Sequence, residues 1–220
     1  VTTSRETILA RIGSALTDVP KTERYDAAAI SRDYRASHAG GHDVTALFAE
    51  RAADYRATVT RTVHAPTAIA AALAERVPAS LIIPDGFPAQ WLPDEGGPRR
   101  LADRPPLSVR ELDAAAGVLT TCAVAIAVTG TLVLDAGPGQ GRRALSLLPD
   151  YHLCVVRAAQ IAEDVPEALR RLNPRRPLTF ISGPSATSDI ELERVEGVHG
   201  PRTLDIVIVE PTTPAPGEAA

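Results

Sequence analysis

Three short stretches carry residue types that could bind or transform a small molecule. The first is Gly137-Pro138-Gly139-Gln140-Gly141-Arg142-Arg143, which follows an apolar, strand-like segment. Glycines there permit positive φ and close backbone approach. Successive N–H groups can then converge on an anion while Arg142 or Arg143 adds charge and a fork of donors. The spacing matches neither the dinucleotide fingerprint nor the P-loop, whose lysine is missing. An irregular loop whose arginines make surface ion pairs accounts for the same residues. The second stretch, Ser182 to Glu191, joins a strand to an expected helix. Ser182, Gly183, Ser185, Thr187 and Asp189 offer hydroxyls, amides and a carboxylate where anions and ligands commonly bind. Simple capping of that helix by Ser185, Thr187 or Ser188 is the alternative. The third is Gly197-Val198-His199-Gly200-Pro201-Arg202, in which His199 is the best general acid–base candidate. A histidine bonded to a loop carbonyl reads the same way.

If the two loops both follow parallel strands, their carboxyl ends lie on one side, and the loops should form a single pocket with His199. A serine-hydrolase triad gains little support. Ser182 or Ser185 with His199 and Asp189 supplies the residue types, but no GxSxG elbow occurs.

Cys122 and Cys154 sit in apolar stretches and form no CxxC or CxxxC pattern, which removes the ligand spacing for zinc or an iron–sulfur cluster. Two buried, reduced thiols are expected; a redox pair stays open if the stretches are neighbouring strands. Lys21 is the single lysine and lies in a polar connector, a poor place for a desolvated Schiff-base amine. A formal charge of -4 gives no broad attraction to nucleic acid or anionic membrane. The chain has no apolar run of membrane-spanning length, and Arg5, Glu6 and Arg11 stand where a signal peptide needs an apolar centre, so a cytoplasmic location is expected.

Elements must position these groups, and 220 residues suffice for one good-sized core. Ile8, Leu9, Ile12 and Leu16 recur at helical spacing behind Thr3 or Ser4 as cap, and Val44, Leu47 and Phe48 behind Asp43. Thereafter strands and helices alternate: a strand over 57–63, a helix over 67–76 opened by Pro66, and a buried strand over 80–83. Residues 92–106 read as an irregular surface loop. Residues 118–128 are an almost unbroken apolar run, which meets the strand 132–134 at the Thr129-Gly130 turn. A helical turn over 143–147, a strand over 153–156, a helix over 166–172, a strand over 178–181, a helix over 188–195 and a strand over 204–209 follow. The pattern predicts an α/β fold with a largely parallel sheet covered on both faces. The expected organisation is an N-terminal helical segment, 1–56, packing on an α/β domain, 57–210, with a disordered tail, 211–220.

Taken together, TGTLVLDAGPGQGRRALSLLPDYHLCVV and ISGPSATSDIELERVEGVHGPRTLDIVIV resemble the lactate-utilisation protein C family, the LUD domain. The match is specific from Thr129 to Val209 and weaker, by order of elements, over 1–120. The resemblance implies a three-layer α/β/α sandwich similar to the ribose-phosphate isomerase and CoA-transferase-like group. It also implies a role in oxidation of L-lactate to pyruvate alongside two partner proteins that carry iron–sulfur clusters. Neither the residues nor the resemblance names a cofactor. Relatives are expected to carry an acidic residue just before TGT, where this chain has Val128. That departure removes a carboxylate and puts a CoA-transferase-like covalent mechanism in doubt.

Two functions from different classes follow. One is an accessory, non-cluster subunit of a lactate-oxidising system that contributes a small-anion or nucleotide pocket or a docking surface. The other is an autonomous phosphosugar isomerase- or cyclo-ligase-like enzyme that binds a phosphorylated small molecule at 137–143, with His199 as acid–base.

Overall fold

The computed structural model of the chain describes residues 3–20, 26, 28–33, 41, 43–93, 97–187, 195–196 and 200–212. Residues 1–35 and 36–220 form two compact units. In the first, helix α1 (Ser4–Ala15) opens with a reciprocal cap. The Thr3 hydroxyl accepts from the Glu6 N–H at 3.3 Å, and the Glu6 carboxylate accepts from the Thr3 N–H at 2.7 Å.

The second unit starts with α2 (Val44–Asp54), capped by the Asp43 carboxylate at the Thr45 and Ala46 amides. It continues through β1 (Thr58–Thr62), α3 (Ala65–Arg76), β2 (Ser80–Ile82), β3 (Arg99–Leu101), α4 (Val109–Asp113) and β4 (Gly117–Thr121). Next come β5 (Val124–Ile126), β6 (Thr131–Leu134), β7 (Tyr151–Arg157), β8 (Ile161–Ala162), α5 (Val165–Arg171) and β9 (Thr179–Ile181). The described part ends with β10 (Ala186–Thr187), β11 (Val195–Glu196) and β12 (Thr203–Val209). Because Phe48 and Ala52 of α2 are fully buried in its core, α2 belongs to this unit.

Six strands form a wholly parallel sheet in the order β1-β12-β7-β4-β2-β3. The expected class is therefore present: an α/β fold around a largely parallel sheet. Its central strands are apolar on both faces because each face is covered. Tyr151, Leu153, Val155 and Val207 pack with Ile69 and Leu73 of α3 on one face, while Cys154, Val156, Ile206 and Ile208 pack with Phe48 and Ala52 of α2 on the other. At the α3 end Arg76 grips Asp205 through Nε at 3.1 Å and Nη2 at 2.9 Å, and the Tyr151 hydroxyl donates to the same carboxylate at 3.0 Å.

Three local expectations change. The apolar run 118–128 is two strands in two sheets: β4 lies in the parallel sheet, whereas β5 belongs to a second sheet of order β8-β5-β6-β9. That sheet packs on the α2 face through Ala125, Leu132 and Leu134, and its other face meets α5 through Val124, Val133 and Ala168. The expected surface loop 92–106 contains β3, whose charged residues suit an exposed edge strand. Of the expected helix 188–195, residues 188–194 lie outside the described residues. Val195 is in a strand, since β10 and β11 pair antiparallel. Among the described residues no helix is long and apolar enough to cross a membrane.

Candidate functional site

The glycine-rich loop directly follows β6, and the Ser182 loop directly follows β9. Those two strands are antiparallel neighbours, with Leu132 opposite Ile181 and Leu134 opposite Thr179. Their carboxyl ends therefore point in opposite directions, and the expected common pocket does not form. Loops that follow two strands share an edge only when the strands are parallel, and β6 and β9 instead pair antiparallel in the second sheet.

The glycine-rich loop sits across the carboxyl ends of β2 and β4. The Gly139 N–H donates to the Asp85 carbonyl at 2.7 Å, and the Gly139 carbonyl accepts from the Thr121 N–H at 2.8 Å. Gly139 has φ +73°, and a Cβ there would stand 2.9 Å from Thr121 Oγ1, so only glycine fits. Two further donors of the loop are also occupied. The Gly137 N–H bonds Asp135 Oδ1 at 3.0 Å, and the Gln140 N–H bonds the Gly137 carbonyl at 3.1 Å. The buried Gln140 side chain accepts from the Asp135 N–H at 2.7 Å and donates back to its carboxylate at 2.9 Å. Arg176 closes on Asp135 at 2.8 Å. Amides with protein acceptors cannot also converge on a ligand, so Gly137 and Gly139 act as an interlock between the two sheets. Beside them a cleft of roughly 410 Å³ is lined by Asp85, Asp103, Arg104, Gly137 and Gly141 among others, and its charges are paired. Asp85 meets Arg104, and Asp103 meets Arg142. Arg142 makes two hydrogen bonds to Asp103, at 2.8 and 3.0 Å, and a third to the Leu107 carbonyl. It holds the Asp103 carboxyl below the ordinary carboxylate range.

Arg143 has the opposite environment. It begins a short 3-10 turn that leads away from the loop, is exposed, and forms no ion pair among the described residues. It lines a second cleft of roughly 280 Å³ together with Ser146, Thr179, Phe180, Ser182, Gly183, Ser185 and Gly200. The amino ends of the main sheet frame this cleft. The Ser185 N–H donates to the Pro201 carbonyl at 2.8 Å, just before β12, and the Thr203 N–H donates to Asp150, just before β7. Gly183, at φ +79°, lies so close to Tyr55 that a Cβ would stand 2.4 Å from its carbonyl oxygen. The backbone turn that presents Ser182 and Ser185 is thereby fixed against the chain entering β1.

Of the residues singled out from sequence, the structure thus brings together Arg143, Ser182, Gly183 and Ser185, and places Gly137, Gly139, Gly141 and Arg142 elsewhere. His199, Asp189 and the Thr187 side chain lie outside the described residues. One group was missed. Thr129 Oγ1 and Thr131 Oγ1 are 2.8 Å apart, and Thr131 Oγ1 is 2.8 Å from Ser182 Oγ, which gives a chain of three hydroxyls running into the loop. The TGT spacing was its signal, since residues two apart across a tight turn share a face. Val128, where an acid was expected, packs instead in the apolar cluster with Ala162 and Val165.

Two buried polar features lie away from the cleft. His152 is fully buried, its Nε2 is 2.7 Å from the Thr120 hydroxyl, and its Nδ1 has no partner among the described residues. Burial pushes its pKa down to about 4. Cys154 in β7 and Cys122, just past the end of neighbouring β4, are free and buried. Contact with Cys154 and burial push the Cys122 thiol well up, which makes it unreactive. Among the described residues no cluster of three or more histidine, cysteine or carboxylate side chains could hold a metal ion.

Comparison with known proteins agrees with this arrangement of elements. Residues 97–209 match the LUD domain. A lactate utilization protein C from Deinococcus radiodurans is 54% identical over 170 residues, 74% of this chain and 77% of the relative. One from Halalkalibacterium halodurans is 38% identical over 93 residues, covering 39% of this chain and 40% of that protein. The crystal structure of a DUF162 family protein from Deinococcus radiodurans superposes with a TM-score of 0.64 at 44% identity, covering 76% of this chain and 96% of the other. On the family match and the extent of the first of these similarities, the chain belongs to the LUD domain family.

Proposed function

We propose that this chain is an accessory, non-cluster subunit of an L-lactate utilisation system and contributes an anion site at the cleft between Arg143 and the Ser182 loop. The observation that carries the site is the contrast between adjacent arginines. Arg142 is bound three times over by protein acceptors, whereas Arg143 is exposed, unpaired among the described residues, and faces hydroxyls in a shared cleft. A carboxylate there gains charge-assisted bonds from the guanidinium and a neutral one from Ser182. The role in lactate use is supported by the names of the relatives. The partners, on this reading, are the iron–sulfur proteins of the same system. The alternative, an autonomous enzyme holding a phosphorylated substrate at 137–143, loses support because the amides of Gly137, Gly139 and Gln140 and the Arg142 side chain already have protein partners. The test is growth of a strain lacking this gene on L-lactate as sole carbon source. Loss of growth on lactate with normal growth on glucose is expected, and equal growth on both overturns the role.

A further inference from the structure

We infer that the same cleft takes an extended, acidic peptide segment of a partner protein, which adds as a strand to β9 and seats a carboxylate on Arg143; this rests on the anion-site reading and names its occupant. β9 is the terminal strand of the second sheet. Which of its backbone groups are free follows from its neighbours. Phe180 is opposite Val133, and the Val133 carbonyl accepts from the Ala123 N–H at 2.8 Å, so Val133 directs its polar groups toward β5 rather than β9. Alternation along an antiparallel ladder then makes Val133 and Phe180 a non-hydrogen-bonded pair, with the Phe180 N–H and C=O turned to the side on which no strand pairs with β9 among the described residues. An edge with free ladder groups is a template for another strand.

The shape of the cleft agrees with that occupant. It is lined by seven consecutive residues, 179–185; the first three are the whole of β9, whose side chains alternate in direction, so the cleft follows the strand's edge rather than one face. Phe180 is 49% exposed and offers an apolar platform beside these backbone groups. On the opposite bank stands Arg143, a cation without an ion pair among the described residues. A second copy of this chain is a poorer occupant, because edge-to-edge pairing would bring the same cation to the interface from both sides. An acidic segment neutralises it.

The test is calorimetric titration of the full chain with a hexapeptide probe, acetyl-Thr-Val-Thr-Val-Thr-Glu with a free carboxyl terminus. It is compared with the same peptide N-methylated at both valines, with the peptide ending in glutamine amide, and with L-lactate and acetate. The parent peptide should bind in the micromolar range. N-methylation, loss of the carboxylates and Arg143→Ala should each weaken it at least tenfold, with the melting temperature of the variant unchanged. If the N-methylated peptide binds as tightly as the parent, no strand is being added and the inference fails. If L-lactate saturates an Arg143-dependent site while no peptide binds, the inference fails and the small-anion site stands. Peptide binding that ignores Arg143→Ala overturns the anchoring role, and absence of binding by every probe overturns both readings.

Discussion

Asp103 holds Arg142 in a two-pronged ion pair, Nε to Oδ2 at 2.8 Å and Nη2 to Oδ1 at 3.0 Å, across 39 residues of sequence. The pair fastens the segment after β3 to the start of the 3-10 turn and leaves Asp103 mostly covered. Arg142→Ala should therefore act on stability and not on ligand binding. The Arg142 side chain is 40% exposed, so solvent screening limits the loss to about 1 kcal/mol, a fall of roughly 2–4 °C in melting temperature. Because Arg142 lowers the Asp103 pKa, the stabilisation is present above the unfolded carboxylate value and is lost as pH falls through the folded one. Thermal melts of wild type and variant should differ at pH 7, and the difference should shrink as the pH is taken below the ordinary carboxylate range. An unchanged melt at pH 7 would show the pair to be incidental.

His152 should make the protein acid-sensitive. Its folded pKa is depressed to about 4 by burial, so the neutral form is favoured by folding. Its contribution is complete above the unfolded value of about 6.5 and disappears as pH falls toward the folded one; at pH 5 the loss is about 2 kcal/mol. Urea unfolding at pH 7 and pH 5 measures it. His152→Gln, which cannot titrate but can still bond Thr120, should flatten that difference while lowering stability at pH 7. A variant with the wild-type pH dependence would place the titrating group elsewhere.

The two thiols should be inert in the native state. Cys122 and Cys154 are buried in the core cluster under α2, and the Cys122 thiol is pushed well above its ordinary pKa. A thiol reagent at pH 8 should label neither in buffer and both in denaturant. Rapid labelling of native protein would mean that the sheet opens between β4 and β7 far more easily than its packing implies.

The parallel sheet was legible because β7 and β12 carry the apolar runs 153–156 and 206–209, as strands covered on both faces require. The caps at Thr3 and Asp43 were legible because capping is local chemistry. The second sheet was not. An apolar run such as 118–128 reads alike whether it stays in one sheet or leaves it at Cys122, and nothing in it announces that β6 and β9 will be antiparallel. The arginines show the same limit. Arg142 and Arg143 are identical to a sequence reader, and their divergence comes from Asp103, which the fold brings in from the far side of β4.

Arg143 carries the functional claim, and one measurement tests it directly: growth on L-lactate of the deletion strain complemented with Arg143→Ala or with Arg142→Ala, each expressed at wild-type level. Truncating an arginine that makes charge-assisted bonds to an anion removes roughly 1.5–3 kcal/mol, a ten- to hundredfold weakening. Arg143→Ala should therefore slow growth sharply while its melting temperature stays at the wild-type value, and Arg142→Ala should grow normally despite a lower one. Full growth with Arg143→Ala would contradict an anion site at this cleft.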